Sequence, residues 1–195
     1  AGAQVDLSFM DEFSNIKALL SIVQPGMEGG NALADIMSGK VNSSGKLTDS
    51  WAYKFEDYPN ADTFSHNNGN VDTEIYEEGI YVGYRYFDTF GVPVRYGFGF
   101  GLSYTEFEIS DYCLENVSAE KITISATVKN TGKVSGKEVV QIYVSLPGGI
   151  LEKEARRLCA YTKTSELKPG ESEKVSLVID MNQLTSYDEK RAAWI

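Results

Sequence analysis

Three stretches in the second half of the chain alternate apolar and polar residues with a period of two. KITISATVKN places Ile122, Ile124, Ala126 and Val128 on one face, KEVVQIYVSL does the same with Val140, Ile142 and Val144, and EKVSLVID with Val175, Leu177 and Ile179. Successive side chains of a strand point to opposite faces, so each pattern predicts a strand buried on one side. NTGKVSG and LKPGES fall between these runs and supply turn residues. Regular short strands of this kind predict an antiparallel β-sandwich from about residue 105, with about five strands where an immunoglobulin-like sandwich has about seven.

The first half reads differently. IKALLSIV, residues 16–23, is a nearly continuous apolar run stopped by Pro25-Gly26. A run of that length and composition predicts a strand buried on both faces, as in a parallel sheet. Then GGNALADIMSG spaces Leu33, Ile36 and Met37 at i, i+3 and i+4, one face of a short helix that Gly39 closes. A strand, loop and helix form one unit of an α/β domain, and a single unit needs partner strands from elsewhere. Residues 41–60 and 62–74 are polar and turn-rich and predict a long surface excursion. Residues 75–108 are dense in Tyr, Phe and Gly, which predicts extended chain packed closely on a neighbour. The fold class expected is therefore an α/β fragment followed by an antiparallel β-sandwich. The chain does not open with methionine and ends on RAAWI, which resembles the approach to a further strand. Both ends are expected to be internal to a longer protein.

Composition narrows the partners. The chain has 28 Asp and Glu against 18 Lys and Arg, a formal charge of −10, which argues against nucleic acid and anionic membranes. Neutral sugars stay open. No apolar run approaches the length of a membrane span. Cys113 and Cys159 are too few for a disulfide framework and are expected as reduced thiols, which favours a cytoplasmic compartment over a secreted one. His66 is the single histidine, so neither a structural zinc nor any other cofactor is expected.

Candidate chemistry centres on QPGMEGGNALADIM, residues 24–37. Gly26, Gly29 and Gly30 fit no phosphate-binding fingerprint, and Glu28 would repel an anion. The glycines suit a hinge that leaves a strand sharply and starts a helix close to a sheet, with Glu28 near the helix N-terminus. Such a loop also lies at the carboxyl end of a strand, where open α/β sheets bind ligands, and the two roles are compatible. Glu28, Glu77, Glu78 and Asp88 could supply the carboxylates of a glycosidase, one of which needs a raised pKa. Pairing of Glu78 or Asp88 with Arg85 is the plainer expectation. Tyr76, Tyr81, Tyr84, Tyr86 and Phe87 could stack on sugars or pack a core. Asn42 and Asn116 each begin a glycosylation sequon, a pattern that often arises by chance.

PGMEGGNALADIMSGKVNSSGKL, YEEGIYVGYRYFD and YGFGFGLSYTEFE resemble, in order and separation, successive landmarks of family 3 glycoside hydrolases, especially bacterial β-glucosidases. VKNTGKVSGKEVVQIYVS, LKPGESEKVSLVID and YDEKRAAWI resemble the fibronectin type III-like domain that those enzymes carry. The resemblance covers nearly the whole chain from VDLSFMDE onward. It implies residues 1–104 as the C-terminal portion of an α/β sandwich domain and 105–195 as a fibronectin type III-like sandwich lacking its last strand. It also implies a retaining mechanism, with an aspartate nucleophile on a (β/α)8 barrel and a glutamate acid/base earlier in the sandwich domain. Neither matches a position here, so no catalytic residue is expected. Glu28 and the Tyr84-Arg85 pair are the expected wall of a sugar pocket. The implied partners are a β-linked oligosaccharide or glucoside and the missing barrel and sandwich-domain segments, with self-association left open. A carbohydrate-binding or protein-interaction module without hydrolytic activity is the alternative.

Overall fold

Helix is confined to two short segments in the computed structural model, which describes residues 4–195. Helix α1 spans Gly29–Met37, where the sequence spacing places it. Strand β1 (Trp51–Ala52) follows, then helix α2 (Tyr84–Phe90) and strand β2 (Val94–Tyr96). β1 and β2 pair antiparallel, with Trp51 opposite Tyr96. Besides β1, the regular structure of the polar excursion is single 3-10 turns at Phe55–Asp57 and Phe64–His66.

Two expectations for this half are corrected. Residues 16–23 form no regular element and join no ladder among the described residues, and Val23 sits at φ +44°. Ile16, Leu19, Leu20, Ile22 and Val23 are 38–60 % exposed. A strand buried on both faces needs neighbours for its backbone groups and covering layers for its side chains, and nothing described here supplies either. The aromatic strip is not extended throughout, since Tyr84–Phe90 is helical. Helical spacing brings Tyr86 and Phe90, four residues apart, to a ring separation of 5.2 Å.

The second half follows its periodicity. Strands β3 (Phe107–Val117), β4 (Lys121–Asn130) and β7 (Ser172–Asp180) form one antiparallel sheet in the order β3-β4-β7. Strands β5 (Val139–Val144) and β6 (Arg157–Lys163) form another. β8 (Tyr187–Asp188) and β9 (Ala193–Trp194) make a small hairpin. In β7 buried Val175, Leu177 and Ile179 alternate with exposed Ser176, Val178 and Asp180. Opposite them in β4 stand Ala126, Ile124 and Ile122, the set that the alternation placed on one face. Val140, Leu167 and the partly buried Ile142 and Ala160 close over this layer. Val128 and Ile179 are 0 % and 1 % exposed, and each such side chain contributes about 1.5–3 kcal/mol by leaving water.

The chain divides into two compact units. One comprises residues up to Val41 with Leu47–Phe100, and the other Asn42–Lys46 with Gly101–Ile195. Asn42 explains why five residues cross over. Its Nδ2 donates to Ser135 O at 3.0 Å, its Oδ1 accepts from Tyr104 N at 2.9 Å, and the Ser103 hydroxyl lies within reach of both. Lys46 then donates to Gly101 O and pairs with Glu138 at 2.8 Å. Cys113 is exposed and Cys159 buried, and they are not bonded to each other.

Candidate functional site

The hinge before α1 is built from conformation and close packing. Gly26 sits at φ +72°, a region that L side chains avoid. Gly29 is buried against Pro25, where an added Cβ would come within 2.5 Å of the proline ring. Glu28 is the helix N-cap residue, but its carboxylate does not cap a backbone N–H. It accepts instead from Asn31 Nδ2 at 2.7 Å and is exposed. Negative charge at this end of a helix remains favourable without a direct bond.

Helix α2 positions the other candidates. Tyr84 opens it and lies against Phe98, with ring centroids 5.1 Å apart. Arg85 is half-buried beside it. Phe87, 3 % exposed, receives the edges of Tyr58 at 5.6 Å and Tyr86 at 5.4 Å. Tyr81 meets Phe90 at 4.9 Å. Tyr81, Tyr84, Tyr86 and Phe87 are thus engaged in ring packing, whereas Tyr76 stands 86 % exposed. The Glu28 carboxylate is thus held by Asn31, three residues on in α1. Glu77 is exposed and Glu78 and Asp88 are half-buried.

Electrostatics in both units favour ionised carboxylates where a shift is resolved. Asp6 is lowered by the Ser8 backbone N–H, Asp11 by hydrogen bonds from Arg95, and Glu115 by the Lys174 ammonium. A general acid needs the opposite shift. Among the described residues, no group of three or more His, Cys, Asp or Glu side chains could hold a metal ion. No helix among them is long and apolar enough to cross a membrane.

Sequence reasoning missed a cleft of about 460 Å3 beside α2, in the polar excursion. Its lining includes Tyr58, Asn60 and Tyr86. Asn60, in the turn-forming YPN, adopts φ +57°. The Pro-Asn pair signals a turn but says nothing of what the turn faces.

Comparison with known proteins adds three findings. Residues 1–84 match the family described as glycosyl hydrolase family 3 C-terminal domain, and residues 138–195 match the fibronectin type III-like domain. The chain is 43% identical to β-glucosidase A of Butyrivibrio fibrisolvens, covering 100% of this chain and 26% of that protein. It is 44% identical to a β-glucosidase of Ruminococcus albus, covering 96% of this chain and 19% of that one. The solved structure of β-glucosidase 3B from Thermotoga neapolitana in complex with glycerol superposes with a TM-score of 0.79 at 42% identity, covering 84% of this chain and 23% of that one. The chain therefore spans about a quarter or less of the length of these relatives.

Proposed function

This chain belongs to family 3 of the glycosyl hydrolases, as C-terminal domain followed by fibronectin type III-like domain, and we propose that it is a non-catalytic part of a retaining β-glucosidase. The observation that carries this reading is coverage. The whole chain aligns to a β-glucosidase at 43% identity while accounting for 26% of it. Retaining hydrolysis needs a nucleophile and an acid/base about 5 Å apart across the scissile bond. Both are assigned to parts of the parent outside residues 1–195, so the parent hydrolyses terminal β-linked glucosides and this chain alone does not.

Within that parent, residues 1–104 form the C-terminal portion of the α/β sandwich domain. Residues 105–195 form the fibronectin type III-like sandwich, short of its last strand. The first part walls one side of the sugar pocket through Glu28, Tyr84 and Arg85, and the second braces the catalytic domains. Support for the wall is local. The Gly26–Gly29 hinge fixes where α1 begins, and ring packing on Phe98 fixes Tyr84. The partners of the chain are then the barrel, the remaining sandwich segments and a β-glucoside. The test is an assay of this chain and of the full-length protein on an aryl β-glucoside. Turnover by the full-length protein alone is expected, and turnover by residues 1–195 alone would refute the reading.

A further inference from the structure

The cleft beside α2 carries polar groups that the fold leaves unspent. The rings of Tyr58 and Tyr86 wall it, and Glu56, Asn60, Asp62 and Asn67 also line it. Both rings are held edge-on against buried Phe87, so the walls are rigid. Asn60 is fixed by its backbone. At φ +57° its carbonyl accepts from Thr63 N at 3.1 Å, Phe64 N at 2.9 Å and Thr63 Oγ1 at 3.2 Å. Its side-chain Nδ2 is buried and has no acceptor among the described residues. A stranded buried donor costs about 1–3 kcal/mol, so an acceptor that reached it would be bound favourably.

The neighbours differ in what they have left. Tyr58 Oη is bonded to Gln4, Ala52 N and Ser50 O, and Asn67 Nδ2 donates to Ala61 O at 3.0 Å. The Glu56 and Asp62 carboxylates are exposed and receive no hydrogen bond or ion pair among the described residues. The cleft therefore offers one buried donor, two strong acceptors and aromatic walls. An anion would meet two carboxylates. A cation would satisfy the carboxylates but bring no acceptor for Asn60. Hydroxyl groups both donate and accept, and a pyranose also presents C–H faces to aromatic rings.

We propose that this cleft binds a single neutral pyranose, with a hydroxyl or ring oxygen accepting from Asn60 Nδ2 and other hydroxyls donating to Glu56 and Asp62. The volume of about 460 Å3 lies in the range of small-molecule sites. The inference rests on the geometry of the cleft and is independent of the activity proposed for the parent.

The test follows the Asn60 side-chain amide resonances of the 15N-labelled chain during titration with methyl β-D-glucopyranoside. Asn60→Asp identifies those resonances, since aspartate tolerates the same left-handed backbone and lacks the amide. Saturable shifts with a midpoint of about 1–10 mM are expected, the strength of a few net hydrogen bonds. Asp62→Asn and Glu56→Gln, surface changes that spare the fold, are expected to weaken the midpoint about 3–10-fold each. The proposal is overturned if the Asn60 resonances do not move. It is equally overturned if sodium sulfate or tetramethylammonium chloride moves them at the same concentrations, or if both carboxamide variants bind as the parent chain does.

Discussion

Asn130 shows how much one side chain can fix. It is fully buried at the end of β4, and all four of its side-chain bonds are made. Nδ2 donates to Val134 O and Leu167 O, each at 2.8 Å, while Oδ1 accepts from Thr105 Oγ1 at 2.7 Å and Gly132 N at 3.1 Å. Its backbone also pairs with Glu171 O and Gly170 N. One amide thus joins the turn after β4, the bend before β3 and the turn before β7. Asn130→Ala would strand these partners, and a loss of about 3 kcal/mol is expected, since each unsatisfied buried group costs about 1–3 kcal/mol. Urea unfolding of the two proteins measures it, and a difference below about 1 kcal/mol would mean that water replaces the amide. In the sequence this residue was legible only as part of NTG, a turn signal. Nothing in a linear pattern tells that an Asn in a turn is buried and shared among three segments.

At the level of elements, legibility followed the environment that each pattern assumes. β7 could be read because alternation needs one buried and one exposed face, and it has both. β4 and β5 were legible from the same apolar spacing, although their other faces, at Ser125 and Gln141, are buried or half-buried. The IKALLSIV strand was misread because its pattern assumes neighbours that the described residues do not include. α2 was missed because aromatic residues and glycines suit extended chain as well as a short helix flanked by Gly83 and Gly91. Of the candidate site, the hinge and the start of α1 were legible. The cleft at Asn60 was not, because it depends on a fold of the polar excursion that has no period.

The 3-10 turn at Ser8–Glu12 illustrates an element held by charge. Arg95 on β2 reaches Asp11 with two hydrogen bonds, Nη1 to Oδ1 at 2.9 Å and Nη2 to Oδ2 at 2.5 Å, and lies 5.0 Å over the Tyr53 ring. The guanidinium holds the Asp11 carboxyl below its ordinary range, chiefly through these hydrogen bonds. A group whose pKa is depressed by folding stabilises the fold above its unfolded value and loses that contribution as pH falls through its folded value. Protection of residues 7–13 from amide exchange or proteolysis is thus expected to persist to a pH below the ordinary aspartate range. In Asp11→Asn it should be weaker at neutral pH and indifferent to acid across that window. Superimposable pH profiles for the two proteins would show that the latch contributes nothing to holding the turn. The exposure of Asp11, 66 %, keeps the effect small.

For the whole molecule the informative feature is apolar surface with no cover. Leu19, Leu20, Ile22 and Val23 are 41–60 % exposed along one segment that joins no ladder among the described residues. Monomeric proteins seldom leave such a stretch open, and a segment without ladder partners is also open to association. If the chain is one part of a longer glycosidase, residues 16–23 become a strand between neighbours supplied by the rest of the sandwich domain. Their amides would then exchange slowly in the full-length protein and rapidly in residues 1–195 alone. The same difference should appear as binding of a hydrophobic dye by the isolated chain and its absence from the parent. Equally fast exchange of these amides in both proteins would mean that the rest of the protein does not pair with the segment. The apolar run would then require another explanation, because its composition suits burial on two faces and the structure of residues 4–195 buries neither.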